Sequence, residues 1–590
     1  MPTATLPLVG SFNTRGIDGS AALVLNEDQR FLNVTLNVVQ NPVTGKAVVY
    51  AEKRPGWGVD SMVSTGIAST GLIKPQAFNA PLSAFGETNS NVYVGTVNVG
   101  VITGRALHLT ETLISASSYV ALKSSDGTGW YYPDGAKDTL TYTGDTISGD
   151  LRVTTTAILS GVYSGQLITG GQMGAGARVT SVNQATSTIG LNVAATATST
   201  GAIITKEPIA KILSANFVSS TVYQSAFAPL DGYLFYATDN GDLNNSDLNS
   251  VHLYTSGAKI AVQQSPDPTI GIAVQKNTVV AFGLNSNEKF SNAGYGSGSP
   301  LQVQKSLVEH IGALDQRSLT TIEDDIYYVS TPSEGDVGVY RMRGLASTRV
   351  STPNVDRILG TSANNGAIYA SSFKLGGYTY AAFTVSLAQD GPASNFLLES
   401  GDILLLESTP GGNLLLEDLA GQAASFVRML VLNTQLNVWT EWDCDESTFI
   451  DSIGSGTTNQ LLATSRFKTD GKVYTINPVV SGQIYTDDGS AFTMEIRTSK
   501  IDFGTGKKKF IEEVELIGTD IRAANTPYLS YSDDDYQTFS TPRAFSVANG
   551  KVSLERLGSH RGGRAYKITD SSNAPFRASA LKIRYREGLS

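Results

Sequence analysis

The chain has 590 residues, 43 Lys+Arg against 53 Asp+Glu, a net charge of −10, and only 16% charged residues. About a quarter charged is usual for a soluble chain; here Gly (59 residues), Ser, Thr and Asn fill the gap, as in proteins built from short strands and tight turns. One cysteine, Cys444, excludes an intrachain disulfide framework and a cysteine-based zinc cluster, and His108, His252, His310 and His560 share no HxxxH spacing, so no metal and no cofactor is expected.

In chain order, the dominant signal is period-two alternation interrupted by Gly, Asn and Asp, which marks strands and hairpins. Residues 91–101 alternate in this way. Residues 136–207 change composition abruptly, with Tyr142 and Tyr163 as their only aromatics, and read as an inserted small β-barrel or sandwich. The strand at 231–238 runs into a turn at 239–242, and residues 271–274 and 278–283 form a hairpin around Lys276-Asn277. Helical periodicity is nearly absent, with room for one or two turns within 304–320. Further strand pairs are expected between 324–329 and 338–342, between 378–385 and 428–433, and between 460–464 and 471–475, with another strand at 437–442. The near-repeat of Leu397-Leu398-Glu399, Leu404-Leu405-Leu406-Glu407 and Leu414-Leu415-Leu416-Glu417 suggests a ladder-like insertion at 389–424. Its acidic residues make lipid insertion costly.

The expected fold is therefore all-β, a β-propeller body with additional small β-sandwich or barrel domains. The boundaries are 1–60 (N-terminal β segment), 61–135 (start of the propeller), 136–207 (inserted β-domain), 208–490 (propeller body with the 389–424 insertion) and 491–590 (C-terminal β-sandwich). No apolar run approaches the roughly 20 residues that span a bilayer, and the first residues, MPTATLPLVGSFN, lack the basic and apolar regions of a signal peptide. The expectation is a chain made in the cytoplasm of its cell, without a membrane anchor.

Charge is unevenly spread. From residue 491 onward there are 16 basic and 12 acidic residues; residues 1–490 hold 27 and 41, a balance of −14. The only compact basic run is Lys507-Lys508-Lys509, too little for wrapping nucleic acid, whereas an acidic wall lets DNA slide past without sticking.

No Walker loop, GxSxG elbow or His/Glu metalloprotease helix is present, and Gly294–Gly298 lies between strands with no helix to present amides to a phosphate. A glycosidase needs two carboxylates facing one sugar. The acidic pairs Asp242/Asp247, Asp324/Asp325 and Asp487/Asp488 all sit in turn-like sequence, where Asp bonds its own backbone. Ser532-Asp533-Asp534-Asp535-Tyr536-Gln537-Thr538-Phe539 approaches the SxDxGxTW box of sialidases, a folding turn remote from their active site, and reads as a solvated acidic hairpin. No enzyme is expected.

Several segments in order resemble one family. Residues 33–38 run to Lys53-Arg54-Pro55-Gly56-Trp57; residues 230–235, 245–248, 265–272, 280–283, 286–294 and 325–329 follow; residues 497–504, 531–534 and 556–568 close the series. In this order they are similar to the nozzle (tail-hub) proteins of short-tailed bacteriophages, among them those called packaged-DNA stabilisation protein or tail tubular protein B. The resemblance covers about two-thirds of the chain and fails over 136–207 and 389–424. It implies a structural protein of the virion tail. Six copies would form a ring below the portal and its adaptor, around a channel that retains packaged DNA and passes it at infection. With its balance of +4, the C-terminal domain together with the N-terminal segment is expected to form the platform that docks on the adaptor, with Lys507, Lys508, Lys509, Arg561 and Arg564 either as its contacts or as a solvated face, and with the insertions facing tail fibres or spikes. The alternative is a polysaccharide-binding or polysaccharide-degrading tailspike of propeller type.

Overall fold

The computed structural model describes residues 3–9, 12–13, 22–23, 29–40, 47–63, 66–75, 78, 80–114, 117–133, 140–155, 161–170, 172–219, 226–238, 240–265, 267–331, 337–363, 368–387, 426–444, 448–453, 460–476, 484–503, 506–518, 521, 524–548 and 551–588. The expected ladder at 389–424 lies outside the described residues.

The body is a β-propeller. Five blades stand as separate four-stranded sheets, within 69–103, 228–261, 271–303 and 319–349, and at 449–476 completed by Gly58–Met62. Two further four-strand units, 106–133 with Ser199–Lys211 and 368–442, belong to larger nine-stranded sheets. Their first strands, Ser69–Ile73, Ala106–Ile114, Ala228–Leu230, Gly271–Gln275, Leu319–Ile322, Ile368–Leu375 and Phe449–Ile453, neighbour one another in turn, and the last returns to the first. Aromatic and branched residues, many of them on the second strands, fill the spaces between blades. Phe282 and Tyr328 meet with ring centroids 4.9 Å apart, and Phe217 stacks on Tyr236 at 4.8 Å. Burying one such side chain stabilises by about 1.5–3 kcal/mol.

The hairpins form where the turn residues allow. Gln275 pairs with Thr278 around a two-residue loop whose left-handed position falls on Lys276 (φ 52°), not on Asn277. The alternating run 91–101 is not one strand: it folds back at Gly95 (φ 62°) into the hairpin Asn89–Val94 and Val97–Thr103. The expected pairings of 324–329 with 338–342, 378–385 with 428–433, and 460–464 with 471–475 are present. Within 304–320 there are two short 3₁₀ turns, Lys305–Leu307 and Gln316–Ser318. One α-helix, Pro353–Ala363, had no counterpart in the sequence reading. It begins with Pro at its first position, the Asp356 N–H donates to the Thr352 carbonyl, and Val355 and Leu359 on one face are buried against the neighbouring blades.

The insertion is a small barrel. Ser199–Lys211 pairs with Leu140–Thr146, which leads through Arg152–Thr155 and Thr188–Leu191 to Val179–Asn183. Gln166–Thr169 closes the circle between Val179–Asn183 and Ser199–Lys211. Val153, Ile168, Val179, Ile189, Leu191 and Ile204 fill it. The first half of the 13-residue strand Ser199–Lys211 belongs to the barrel, and its end pairs with Trp130 and Tyr131 as the outer strand of a blade. The barrel is thus fused to the propeller through one uninterrupted strand.

The C-terminal domain is a β-sandwich completed by the N-terminus. Thr3–Pro7 and Ala47–Lys53 pair with Arg577–Glu587, and Val34–Gln40 extends that sheet. Arg30–Leu32 lies between Val438–Trp442 of the propeller and Met494–Arg497 of the opposite sheet. Leu36, Val514, Leu581 and Ile583 from one sheet pack on Phe31, Ile496, Tyr566 and Ile568 from the other.

Candidate functional site

Three places could carry function: the propeller axis, the joint between propeller and sandwich, and the far end of the sandwich.

A small cavity opens among five of the innermost strands of the propeller. It is about 240 Å³ and is lined by Leu72, Leu107, Leu109, Leu319, Tyr369 and Phe449, with His108 and Arg317 among the few polar neighbours and no carboxylate in the lining. Arg317 is held by Asp315, which accepts from its Nε at 2.9 Å. Five of the acidic residues singled out from the sequence are engaged in ion pairs, Asp487 with Arg54 across the joint. Asp242 pairs with Lys259 (2.6 Å), Asp325 with Arg343 (2.8 Å), Asp324 with Lys276 (3.8 Å) and Asp488 with Lys472 (2.5 Å). In the acidic hairpin, the Asp534 carboxylate accepts from the Thr538 hydroxyl and N–H and from the Ser532 hydroxyl, which together hold its carboxyl down to about 2. Asp534 therefore builds the turn. Among the described residues no group of three or more His, Cys, Asp or Glu side chains is placed to hold a metal ion.

The joint is ionic and buried. The Lys53-Arg54-Pro55-Gly56-Trp57 turn crosses it. Arg54, fully buried, donates to both oxygens of Asp487 and, through Nε, to Asn33 Oδ1 (2.9 Å), with its guanidinium 4.0 Å from the Phe492 ring centre. Gly56 approaches so closely that a Cβ there would stand 2.0 Å from the Thr486 carbonyl oxygen. Lys53 donates to the Ser572 carbonyl (2.7 Å) and sits 3.4 Å from Asp570, both side chains fully buried. Burial lowers the Lys53 ammonium pKa, and Asp570 offsets only part of that. Glu441 accepts from Arg30 (3.1 and 2.7 Å) and from Arg428. Burial pushes its carboxyl up, but the two guanidiniums more than offset this and leave it below its ordinary value.

The five residues expected to dock are divided by the far end of the sandwich. Lys507 is exposed, 4.0 Å from Glu587; Lys508 lies with its ammonium 5.4 Å from the Phe510 ring centre; Arg561 is exposed. Lys509 and Arg564 are inside. Arg564 makes a two-pronged contact with Asp533 (2.7 and 2.7 Å), donates to the Leu557 carbonyl (2.7 Å) and stacks 3.8 Å from the centre of Tyr531. Strand alternation alone turns Lys509 inward between Lys508 and Phe510. Next to Arg564, His560 is buried and its Nδ1 meets the Gly562 carbonyl at 3.0 Å; burial first, then the Arg564 charge, holds the imidazole below its ordinary value. Sequence reasoning missed Phe510 and Arg586, which pair directly across neighbouring strands beside Lys508; their alternation within 509–518 and 577–587 was the available signal.

Residues 136–372 match the model of the family described as bacteriophage P22 Gp10, beta-propeller. The match takes in the barrel, so the expectation that the resemblance fails over 136–207 is corrected: the barrel's long strand is the outer strand of a blade and is part of the matched unit. No curated protein sequence matches the chain. Among solved structures, a phage phi92 endosialidase is similar over 92% of this chain and 75% of its own, at 11% identity and a TM-score of 0.28. The BBS1N domain (in complex with ARL6DN) is similar over 73% and 99% at 10% identity and 0.34, and Saccharomyces cerevisiae Sqt1 over 72% and 98% at 8% and 0.34. At such identities and scores these likenesses say nothing about what the chain does. The propeller and the match over residues 136–372 together support a phage structural protein similar to the bacteriophage P22 Gp10 beta-propeller family.

Proposed function

We propose that this protein is the nozzle of a short-tailed phage. Six copies form a ring below the portal–adaptor complex, and the channel they enclose retains packaged DNA and passes it at infection. The observation that carries this reading is the small cavity among the innermost propeller strands. A cavity of about 240 Å³ is far too small for a duplex whose major groove alone is about 12 Å wide. A DNA conduit in this family must therefore run between copies. The balance of −14 over residues 1–490 suits a wall past which a polyanion slides. In this reading the platform of N-terminal strands and C-terminal sandwich docks on the adaptor, and the propeller side faces fibres or spikes. The protein is made in the host cytoplasm, becomes part of the virion tail and performs no chemistry.

Negative-stain electron microscopy of the purified protein, alone and mixed with portal–adaptor complex, tests this. Six-fold rings with a central hole, or a new layer on the complex, are expected. Monomers or compact trimers that ignore the complex, together with cleavage of capsule or lipopolysaccharide, would overturn it in favour of a tailspike.

A further inference from the structure

The far end of the sandwich is an unpartnered face with a definite charge pattern. Strand register assembles it. Phe510 pairs with Arg586 on one side and with Ser559 on the other; Lys509 pairs with Glu587 and His560. One step further along, the Lys508 carbonyl accepts from the Gly588 N–H, and Arg561 follows His560 directly. Lys508, Phe510, Arg561 and Arg586 therefore share the strand ends. Phe510 is 37% exposed, with the Lys508 ammonium 5.4 Å and the Arg586 guanidinium 5.9 Å from its ring centre. Arg586 is partly compensated by Glu512 at 3.5 Å, whereas Lys508 and Arg561 form no ion pair among the described residues.

A groove of about 520 Å³ opens beside this tip, lined by Phe510, Ile511 and Gly558 together with Glu512, Glu513 and Arg584, and rimmed by Glu555 and Arg556, both exposed. The tip also lies at the end of the sandwich away from the propeller. Strand Arg577–Glu587 starts at the joint, where Arg577 pairs with Glu52 at 2.8 Å. Its eleven residues, at about 3.3 Å each, carry Arg586 roughly 30 Å from there.

We propose that this tip is a docking surface for a protein segment that carries at least two carboxylates flanking an apolar side chain, presented by the neighbour above the platform. This rests on the nozzle reading and names the chemistry of its docking partner. Any partner that covers the tip without carboxylates would bury Lys508 and Arg561 unpaired, which is strongly unfavourable. The apolar side chain would sit on Phe510 and enter the groove. Glu512 and Glu555, immediately beside the cations, argue against a phosphate backbone. Duplex DNA presents one negative charge per roughly 1.7 Å and would meet both glutamates, while a protein segment can place its own cation there.

The test uses the full-length protein, portal–adaptor complex and a 30-base-pair duplex as separate probes. Lys508→Glu combined with Arg561→Glu, and separately Phe510→Ala, are compared with wild type for binding each probe at low and high salt. Both variants are expected to melt like wild type and to lose at least about tenfold in affinity for the complex, as close interfacial charge pairs do; wild-type binding should weaken with salt. Unchanged docking by the charge-reversed variant overturns the proposal and leaves the nozzle reading intact. Docking unchanged while duplex binding is lost overturns it in favour of DNA. Failure of wild type itself to bind the complex overturns both.

Discussion

Arg54 and Asp487, 433 residues apart, face each other in a two-pronged contact at the joint between propeller and sandwich, and neither is accessible to solvent to any extent that would loosen it. The guanidinium also lies over the Phe492 ring, while Asn33 accepts from its Nε. The fork geometry is specific to Arg.

Removing one member of such a pair leaves the other charge buried, which costs about 3–5 kcal/mol. Arg54→Ala should therefore lower the melting midpoint by several degrees, and Arg54→Lys should recover little of it. Differential scanning calorimetry checks this; a midpoint within one degree of wild type for Arg54→Ala would contradict it.

Gly56→Ala should also be damaging, although it adds one methyl. The clash is with backbone, the Thr486 carbonyl, so no side chain can swing aside. Overpacking of this kind costs about 1–3 kcal/mol or more. Faster limited proteolysis near 484–487 is expected, and wild-type protease resistance would refute the close approach.

Glu441 makes the joint acid-sensitive. Its carboxyl sits below its ordinary value when folded, because Arg30 and Arg428 outweigh burial. The folded chain thus releases this proton more readily than the unfolded chain. The resulting stabilisation is complete above the ordinary carboxyl value and is lost as pH falls through the lower, folded value. Urea midpoints measured between pH 6 and pH 3 should fall less steeply for Glu441→Gln than for wild type, from a lower starting point. Parallel curves would show that other carboxylates dominate.

The strand Gly58–Met62 completes the last blade by pairing with Lys472–Ile476. Ser61→Pro removes a donor from that strand and restricts its backbone. Hydrogen exchange should quicken across 460–476 while the sandwich core around Val514 stays protected. Uniform protection in both regions would mean that the blade closes without this strand.

Local features were legible in the sequence; distant pairings were not. The hairpin around Lys276-Asn277 has its alternation and its turn within twelve residues, and it was read correctly. The run 91–101 was continuous by alternation, and only the backbone angle of Gly95 reveals the fold-back. The helix Pro353–Ala363 is short and mixes Gly360, Thr361 and Ser362 with just two buried hydrophobic residues among the described ones, Val355 and Leu359, so its periodicity is faint. Distribution of the first 62 residues over both domains has no local signature, because partners such as Glu441 and Asp570 lie hundreds of residues away. At the tip, charge was legible and direction was not: Lys509 and Arg564 look like surface residues in a list of basic side chains, yet each is claimed by the interior.

The strand that closes the propeller also sets a clock for its birth. Val59 leaves the ribosome early, but its partner Tyr474 is 415 residues behind it. At about 5–20 residues per second, the ring stays open for roughly 20 to 80 s while the chain is made. Throughout that interval the edge of Lys472–Ile476 does not yet exist, and the propeller has nothing to close on. Closure thus waits for translation to pass the last blade, a delay written into the order of the strands.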